Sequence, residues 1–320
     1  MAMNKKNRFT VIQGKKQKPS REKLIYAFLI MVAVMLGVHA LFSFTHDFIA
    51  ARLVRTVVSD EGVLEEAITA SGVIVRDERL VSAPVTGTLR WVVVEGERLA
   101  VGRTVAVLTM SENTAREVTT PAPGLVILHL DGLEGVLQPQ SLAEVDVEPT
   151  RKLSLKTQEF TDGDLVQQGS ILFKVVNNFH WYFVAQLSPG DVTALDGSKS
   201  FLMRFSFMPV QEVWGKVEMI QKDDKPTVAF VMQDQIDGCF TERFAEADII
   251  VRSTRGIVLP VSALVKRGDE IGVYTLEKSV VRYRAVDVLE LSEKKVVIDG
   301  LRKGLQVITN PKWVREGQTL

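Results

Sequence analysis

The chain has 320 residues, 46% hydrophobic and 24% charged, with 39 basic and 39 acidic side chains, enough for two or three small domains with sizeable cores. Residues 1–23 hold eight cations and one acid, Glu22, so the remaining chain carries −7, which argues against bulk nucleic-acid binding. A single cysteine, Cys239, excludes an internal disulfide and a cysteine-built metal cage.

Residues 1–23 read most simply as a flexible basic tail that signals topology; contact with anionic headgroups is the alternative. From Leu24 to His46 there is no Asp, Glu, Lys or Arg, and "LIYAFLIMVAVMLGVHALFSF" runs for 21 residues. At about 1.5 Å per residue, such a helix covers the roughly 30 Å hydrocarbon core. Residues 24–46 are therefore expected to be a single-pass plasma-membrane anchor, with a cytoplasmic N-terminus and an extracytoplasmic body. A cleaved signal peptide is the rival, but its apolar region is shorter, about 7–15 residues, and no convincing A-x-A site follows. His39 and Ser43 read as the helix nearing the interface. Residues 47–82 are expected to form a juxtamembrane segment and a lead-in strand.

An internal repeat follows. "APVTGTL" (83–89) is answered by "TPAPGLV" (120–126), and "GERLAVGRTVAVL" (96–108) by "GDLVQQGSILFKV" (163–175). Pro84 matches Pro121, Gly87 matches Gly124, and Gly96 and Gly102 match Gly163 and Gly169. Glycine is required where a tight turn needs positive φ, so repeated turn chemistry predicts two similar β-halves with pseudo-twofold symmetry over residues 83–178. The second half is interrupted by residues 129–161. Within them Ser141-x-x-Glu144 could be a capping box that opens a short helix. The segment reads as a loop or small lobe at the tip of the sandwich.

Residues 179–255 contain short β-branched and aromatic runs separated by turn residues, the pattern of a small barrel. "FHWYFVAQL" ends at Ser188-Pro189-Gly190, and "VWGKVEMI" places Val213, Gly215, Val217 and Met219 on one side. Residues 256–320 give strands at about 271–276 and 280–291, joined by Glu277-Lys278-Ser279. A change of apolar phase at Ala285–Val286 suggests a bulge.

The double Pro–Gly–Gly–Gly pattern resembles biotinyl/lipoyl domains. Behind an apolar anchor, the chain resembles the HlyD-type membrane fusion proteins, the periplasmic adaptors of efflux pumps and type I secretion systems. Four further stretches carry this: "GVLEEAITASGVIVRDERLVSAPVTGTL" (62–89), "EVWGKVEMI" (212–220), "GIVLPVSALV" (256–265), and "VVIDGLRKGLQVITNP" (296–311) with "REGQTL" (315–320). The resemblance implies a mainly β chain. It would comprise an N-terminal transmembrane helix, a lipoyl-like β-sandwich (83–178), a small β-barrel (179–255) and a membrane-proximal β domain (256–320). Residues near 63–75 are expected to pair with that last domain. Two departures are visible. Carriers of the lipoyl fold expose a modified lysine about eight residues before the second proline; here that place is Asn113, and no lysine occurs between Leu24 and Arg151. Adaptors usually hold a Gly-Met pair before the last barrel strand; here Ala247-Asp248 stands instead, which leaves barrel closure open.

Adaptors of tripartite pumps also insert a long helical hairpin between the lipoyl halves. Only twelve residues separate Leu108 from Pro121, too few for two helices of several turns. Nothing in the sequence marks a catalytic, cofactor or metal site. None of His39, His46, His129 and His180 has metal-ligand spacing, and His129 near Asp131 reads as loop chemistry. No Walker loop, G-x-S-x-G elbow or G-x-G-x-x-G occurs. Glu65-Glu66 and Asp223-Asp224 read as solvated charge, Lys294-Lys295 as a hairpin tip, and Trp181 and Trp214 as core or barrel-rim residues. The sequence thus predicts a non-enzymatic, cofactor-free adaptor that oligomerises beside a plasma-membrane transporter, with no nucleic-acid partner and no small-molecule substrate site. A scaffold for envelope assembly or division, derived from the same fold, is the alternative.

Overall fold

A computed structural model describes residues 25–26, 28–38, 52–153, 155, 157–195, 200–221 and 225–320. Of the predicted anchor, residues 28–38 are helical; residues 1–24, 27 and 39–51, including the basic tail, lie outside the described residues. Among the described residues no helix is long and apolar enough to cross a membrane. The chain is mainly β and divides into two compact units, one of Glu65–Ser253 and one of the residues up to Leu64 together with Thr254–Leu320.

Within the first unit, the repeat folds as a sandwich of two four-stranded sheets. One orders Glu78–Ser82, Ile171–Val176, Gly124–Ile127 and Arg98–Leu99; the other orders Thr114–Thr119, Thr104–Ser111, Gly87–Trp91 and Leu165–Val166. The short strand of each half crosses to the other half's sheet. Arg98 and Leu99 pair with Leu125 and Gly124, while Leu165 and Val166 pair with Thr88 and Gly87. The turn contacts repeat with the same symmetry. Gly96 N–H donates to Val126 O and Gly163 N–H to Leu89 O; Gly102 N–H donates to Thr120 O and Gly169 N–H to Ala83 O, all at 2.8–2.9 Å. These four glycines have φ between 77° and 95°, which is why the sequence repeats glycine there. Leu89, Leu108, Val126, Leu172 and Phe173 fill the space between the sheets. Each such buried side chain contributes about 1.5–3 kcal/mol.

The remainder of this unit is a closed barrel of six strands. It runs from Ser200–Phe205 through Met208–Gln221, Thr227–Met232, Trp181–Gln186, the later part of Asp60–Val75 and the earlier part of Phe244–Pro260, back to Ser200–Phe205. The closing pairs are Phe205 with Ala247 and Arg204 with Asp248, so the departure from Gly-Met leaves closure intact. Phe183 meets Phe205 edge to face at 5.0 Å beside the fully buried Trp181. A short helix, Pro189–Ala194, capped by Ser188 Oγ, adds Val192 to this core. Val213, Gly215 and Val217 share a face as the sequence predicts. A register shift between Val217 and Met219 turns Met219 to the opposite face.

The second unit contains a five-stranded sheet. Glu270–Glu277 lies between Leu264–Arg267 and Gln306–Ile308, also pairs with Val280–Ala285, and Thr56–Val58 pairs beyond Gln306–Ile308. The lead-in expectation needs correction. It is residues 56–58 that join this sheet, whereas Ser71–Val75 pair with Trp181–Gln186 of the barrel. The phase change at Ala285–Val286 marks a change of partner. Val280–Ala285 pairs with Glu270–Glu277, and Asp287–Leu291 pairs with Lys295–Asp299. Lys278 and Ser279, with φ of 46° and 63°, make the tight turn between Glu277 and Val280.

Candidate functional site

The most chemically concentrated place in the first unit is a cluster of six charged side chains with no more than 8% of their surface exposed. Arg76 follows strand Asp60–Val75, Arg243 precedes Phe244–Pro260, and Glu78 and Lys174 belong to paired strands of the sandwich. Asp131 and Glu134 come from the insertion. Charged groups this deep are tolerated only when paired and hydrogen-bonded.

The pairing is complete in charge, three cations to three carboxylates. Arg243 Nη2 lies 2.8 Å from Glu78 Oε2 and 2.7 Å from Asp131 Oδ2. Arg76 Nε donates to Glu78 Oε1 at 2.9 Å, and its Nη1 donates to the carbonyls of Cys239 and Glu242 at 3.1 and 3.0 Å. Lys174 Nζ is 3.1 Å from Glu134 Oε1, 3.4 Å from Glu78 Oε1 and 3.6 Å from Asp131 Oδ2. The carboxylates also fold their own loop. Glu134 accepts from the Asp131 and Gly132 amides at 2.7 and 2.9 Å, and Asp131 accepts from the Leu133 amide at 2.8 Å.

Burial pushes the Asp131 carboxyl up, but Arg243, Lys174 and the Leu133 N–H outweigh it and hold it below its ordinary value. Burial acts on Glu134 in the same way, and backbone N–H donation with Lys174 brings it down overall. The guanidinium of Arg76 is brought down to about 10, chiefly by burial and then by the neighbouring Arg243. Burial also acts downward on Arg243, but Glu78 and Asp131 reverse it. Two cations share the same acids, and Arg243 has the better contacts.

Apolar packing continues the same join. Leu133, Leu137, Leu142, Val145 and Val147 of the insertion are buried against Val73, Val75, Val184 and Ala229 on the outer face of the barrel strands. The insertion therefore lies against the barrel instead of forming a free lobe at the sandwich tip. The capping box is not made. Ser141 sits inside a 3₁₀ turn, Pro139–Glu144, and its Oγ donates to the carbonyls of Val136 and Gln138; the α-helix that follows is Val147–Arg151.

The other singled-out residues are dispersed. Asn113 lies in the two-residue turn between Ser111 and Thr114. His129 Nδ1 contacts Glu95 Oε1, while Asp131 turns into the cluster. His180 meets Tyr182 edge to face at 5.4 Å, and Asp223-Asp224 lie outside the described residues. Glu65 is not merely solvated: it pairs with Arg204 at 2.7 Å, and this hydrogen bond lowers its pKa. Trp181 is core and donates to Asp234 O, whereas Trp214 is exposed. Among the described residues no group of three or more His, Cys, Asp or Glu is placed to hold a metal ion. Sequence reasoning passed over the cluster. One signal was present: Lys174 interrupts the apolar strand "ILFKVV", where a lysine needs a buried partner.

The second unit carries a cleft of about 640 Å³ lined by Val261, Leu264, Val265, Tyr274, Pro311 and Trp313, among others. Beside its Tyr274 wall, Arg267 stacks over Tyr283 at 4.2 Å and pairs with Glu316 at 2.6 Å.

Two interleaved β-halves, with Asn113 at the hairpin tip, define a barrel-sandwich module. Residues 78–177 match the family described as RND related, barrel-sandwich hybrid domain. The match covers the stretch that the sequence marks as a lipoyl-like sandwich. No curated protein matches the chain. Similar solved structures include ZneB from Cupriavidus metallidurans, 13% identical, covering 81% of this chain and 93% of that one with a TM-score of 0.38. MacA from Actinobacillus actinomycetemcomitans is 12% identical, covering 80% and 99% with a TM-score of 0.36.

Proposed function

We propose that the chain is a membrane-anchored, extracytoplasmic adaptor subunit of an efflux or secretion transporter, acting by protein–protein contact and without catalysis. The observation that carries this reading is the RND-related barrel-sandwich module, whose hairpin tip holds Asn113 where a carrier would hold lysine. Asparagine cannot form the amide that tethers a swinging arm, so the module offers surfaces only. The buried cluster suits such a role, because a part that transmits position between partners gains from a fixed join between its sandwich and its barrel.

A second reading, a scaffold for envelope assembly or division, is favoured by the same hairpin. A two-residue turn cannot reach a distant channel as a pair of long helices would. Photo-crosslinking from positions in the sandwich and in the second unit, in intact membranes, separates the two. Recovery of a transporter, with crosslinked copies of the chain itself, is expected. Recovery of neither, or of wall and division proteins alone, overturns the adaptor reading.

A further inference from the structure

We infer that the Trp313 edge of the second unit is a membrane-docking surface that takes an anionic phospholipid bilayer; this rests on the anchor reading above. The argument begins with how the chain leaves the apolar stretch. Only seven residue steps separate His46 from Leu53, at most about 25 Å of extended chain. Where the chain is next described, it is bonded at once to the loop that carries Trp313. Asn310 Nδ2 donates to Leu53 O at 2.8 Å, Arg55 N–H donates to Asn310 Oδ1 at 2.9 Å, and Thr309 N–H donates to Arg55 O at 2.9 Å. The loop Pro311–Trp313 is thus fixed to the first residues that follow the predicted span.

The composition of this edge fits a bilayer interface. Trp313 and Leu53 are each 46% exposed, and the hydrogen bonds above bring their segments to one edge. Trp313 borders the apolar cleft through Pro311, Leu264 and Val265. Exposed cations flank both residues along the chain, Arg52 and Arg55 beside Leu53, and Lys312 and Arg315 beside Trp313. The adjoining acid, Glu316, is paired with Arg267. Tryptophan prefers the headgroup level, where its ring is half apolar and its N–H is solvated, and basic side chains nearby gain from anionic lipid. A protein partner would equally accept the apolar cleft. The cations and the short tether to the span favour lipid.

The test uses the full chain in vesicles of phosphatidylcholine with phosphatidylglycerol. A nitroxide is attached at Trp313→Cys, and separately at Leu53→Cys in case the first variant folds poorly; Cys239 is buried. Relaxation by oxygen and by a nickel chelate is read against spin-labelled phospholipid depth standards. Both labels are expected about 5–10 Å inside the headgroup–acyl boundary, and shallower when phosphatidylglycerol is omitted. Labels freely reached by the nickel chelate, in protein that survives a carbonate wash, overturn the docking surface and leave the anchor standing. Labels shielded from both reagents, more so at high protein density, assign the edge to a second copy and also overturn it. Equal depth in both lipids overturns the anionic preference. Loss of the protein on the carbonate wash overturns the anchor, and this inference with it.

Discussion

Replacing Arg243 with methionine keeps much of the side-chain volume and removes the charge that Glu78 and Asp131 share. Two cations, Arg76 and Lys174, would then face three carboxylates. Arg76 cannot simply substitute, because its Nη1 is committed to the Cys239 and Glu242 carbonyls and its Nη2 stands 3.9 Å from Asp131. At contact distances of 2.7–2.8 Å, each lost attraction is worth about 6 kcal/mol at an effective dielectric of about 20, before the relief of no longer burying a guanidinium. The net cost of breaking a buried pair from one side is about 3–5 kcal/mol. For a unit spanning Glu65–Ser253 this lowers Tm by roughly 6–20 °C. Removing the opposite charge as well, in Arg243→Met with Glu78→Gln, should recover about 1–3 kcal/mol through coupling. Thermal unfolding of the full chain in detergent gives the magnitude, and hydrogen exchange at Asp131, Gly132 and Leu133 localises it. A Tm within about 2 °C of the parent, with unchanged exchange at those amides, would refute the view that the cluster holds the insertion in place.

Asp131 and Glu134 are held below their ordinary values, so the unfolded chain binds more protons in the acid range. Their stabilising contribution is complete above the ordinary carboxylate range, about pH 5, and is lost as pH falls through their lowered folded values; exchange protection at residues 131–137 should fall accordingly on acidification. Burial pushes the Cys239 thiol up to about 11, so maleimide at about pH 8 should label it only after unfolding, and rapid labelling of native protein would contradict the packing. Gly96→Ala and Gly163→Ala meet open space but demand positive φ, so each should cost about 1–2 kcal/mol in denaturant titration; a clear inequality would argue against equivalent halves. Trp181→Ala should cost about 3–5 kcal/mol, while Trp214→Ala, on an exposed face, should change stability by less than about 0.5 kcal/mol.

Where local chemistry dictates conformation, the sequence was readable. The repeated glycines announced both halves because positive φ leaves little choice of residue, and the alternation at Val213, Gly215 and Val217 announced an inward face. Long-range choices were not readable in the same way. Residues 63–75 carry a strand pattern, but nothing in it names the barrel strand as partner for Ser71–Val75. Met219 keeps the written alternation, and one bulge sends it to the other face. The ionic cluster is the clearest case. Arg76 and Glu78 look like surface charge beside a turn, and Asp131 and Glu134 look like loop polarity. Their partners lie 40 to 165 positions away, at Lys174 and Arg243, so only the assembled packing turns them into one neutral group.

The exchange of short strands between the two halves of the sandwich also governs the order in which the module can be completed. Gly87 and Thr88 need Leu165 and Val166, which a ribosome delivers roughly eighty positions later. Until then the leading half has an open sheet edge and no settled interior. A nascent chain therefore leaves this segment open until residues 165 and 166 emerge, and it closes into its finished form only then.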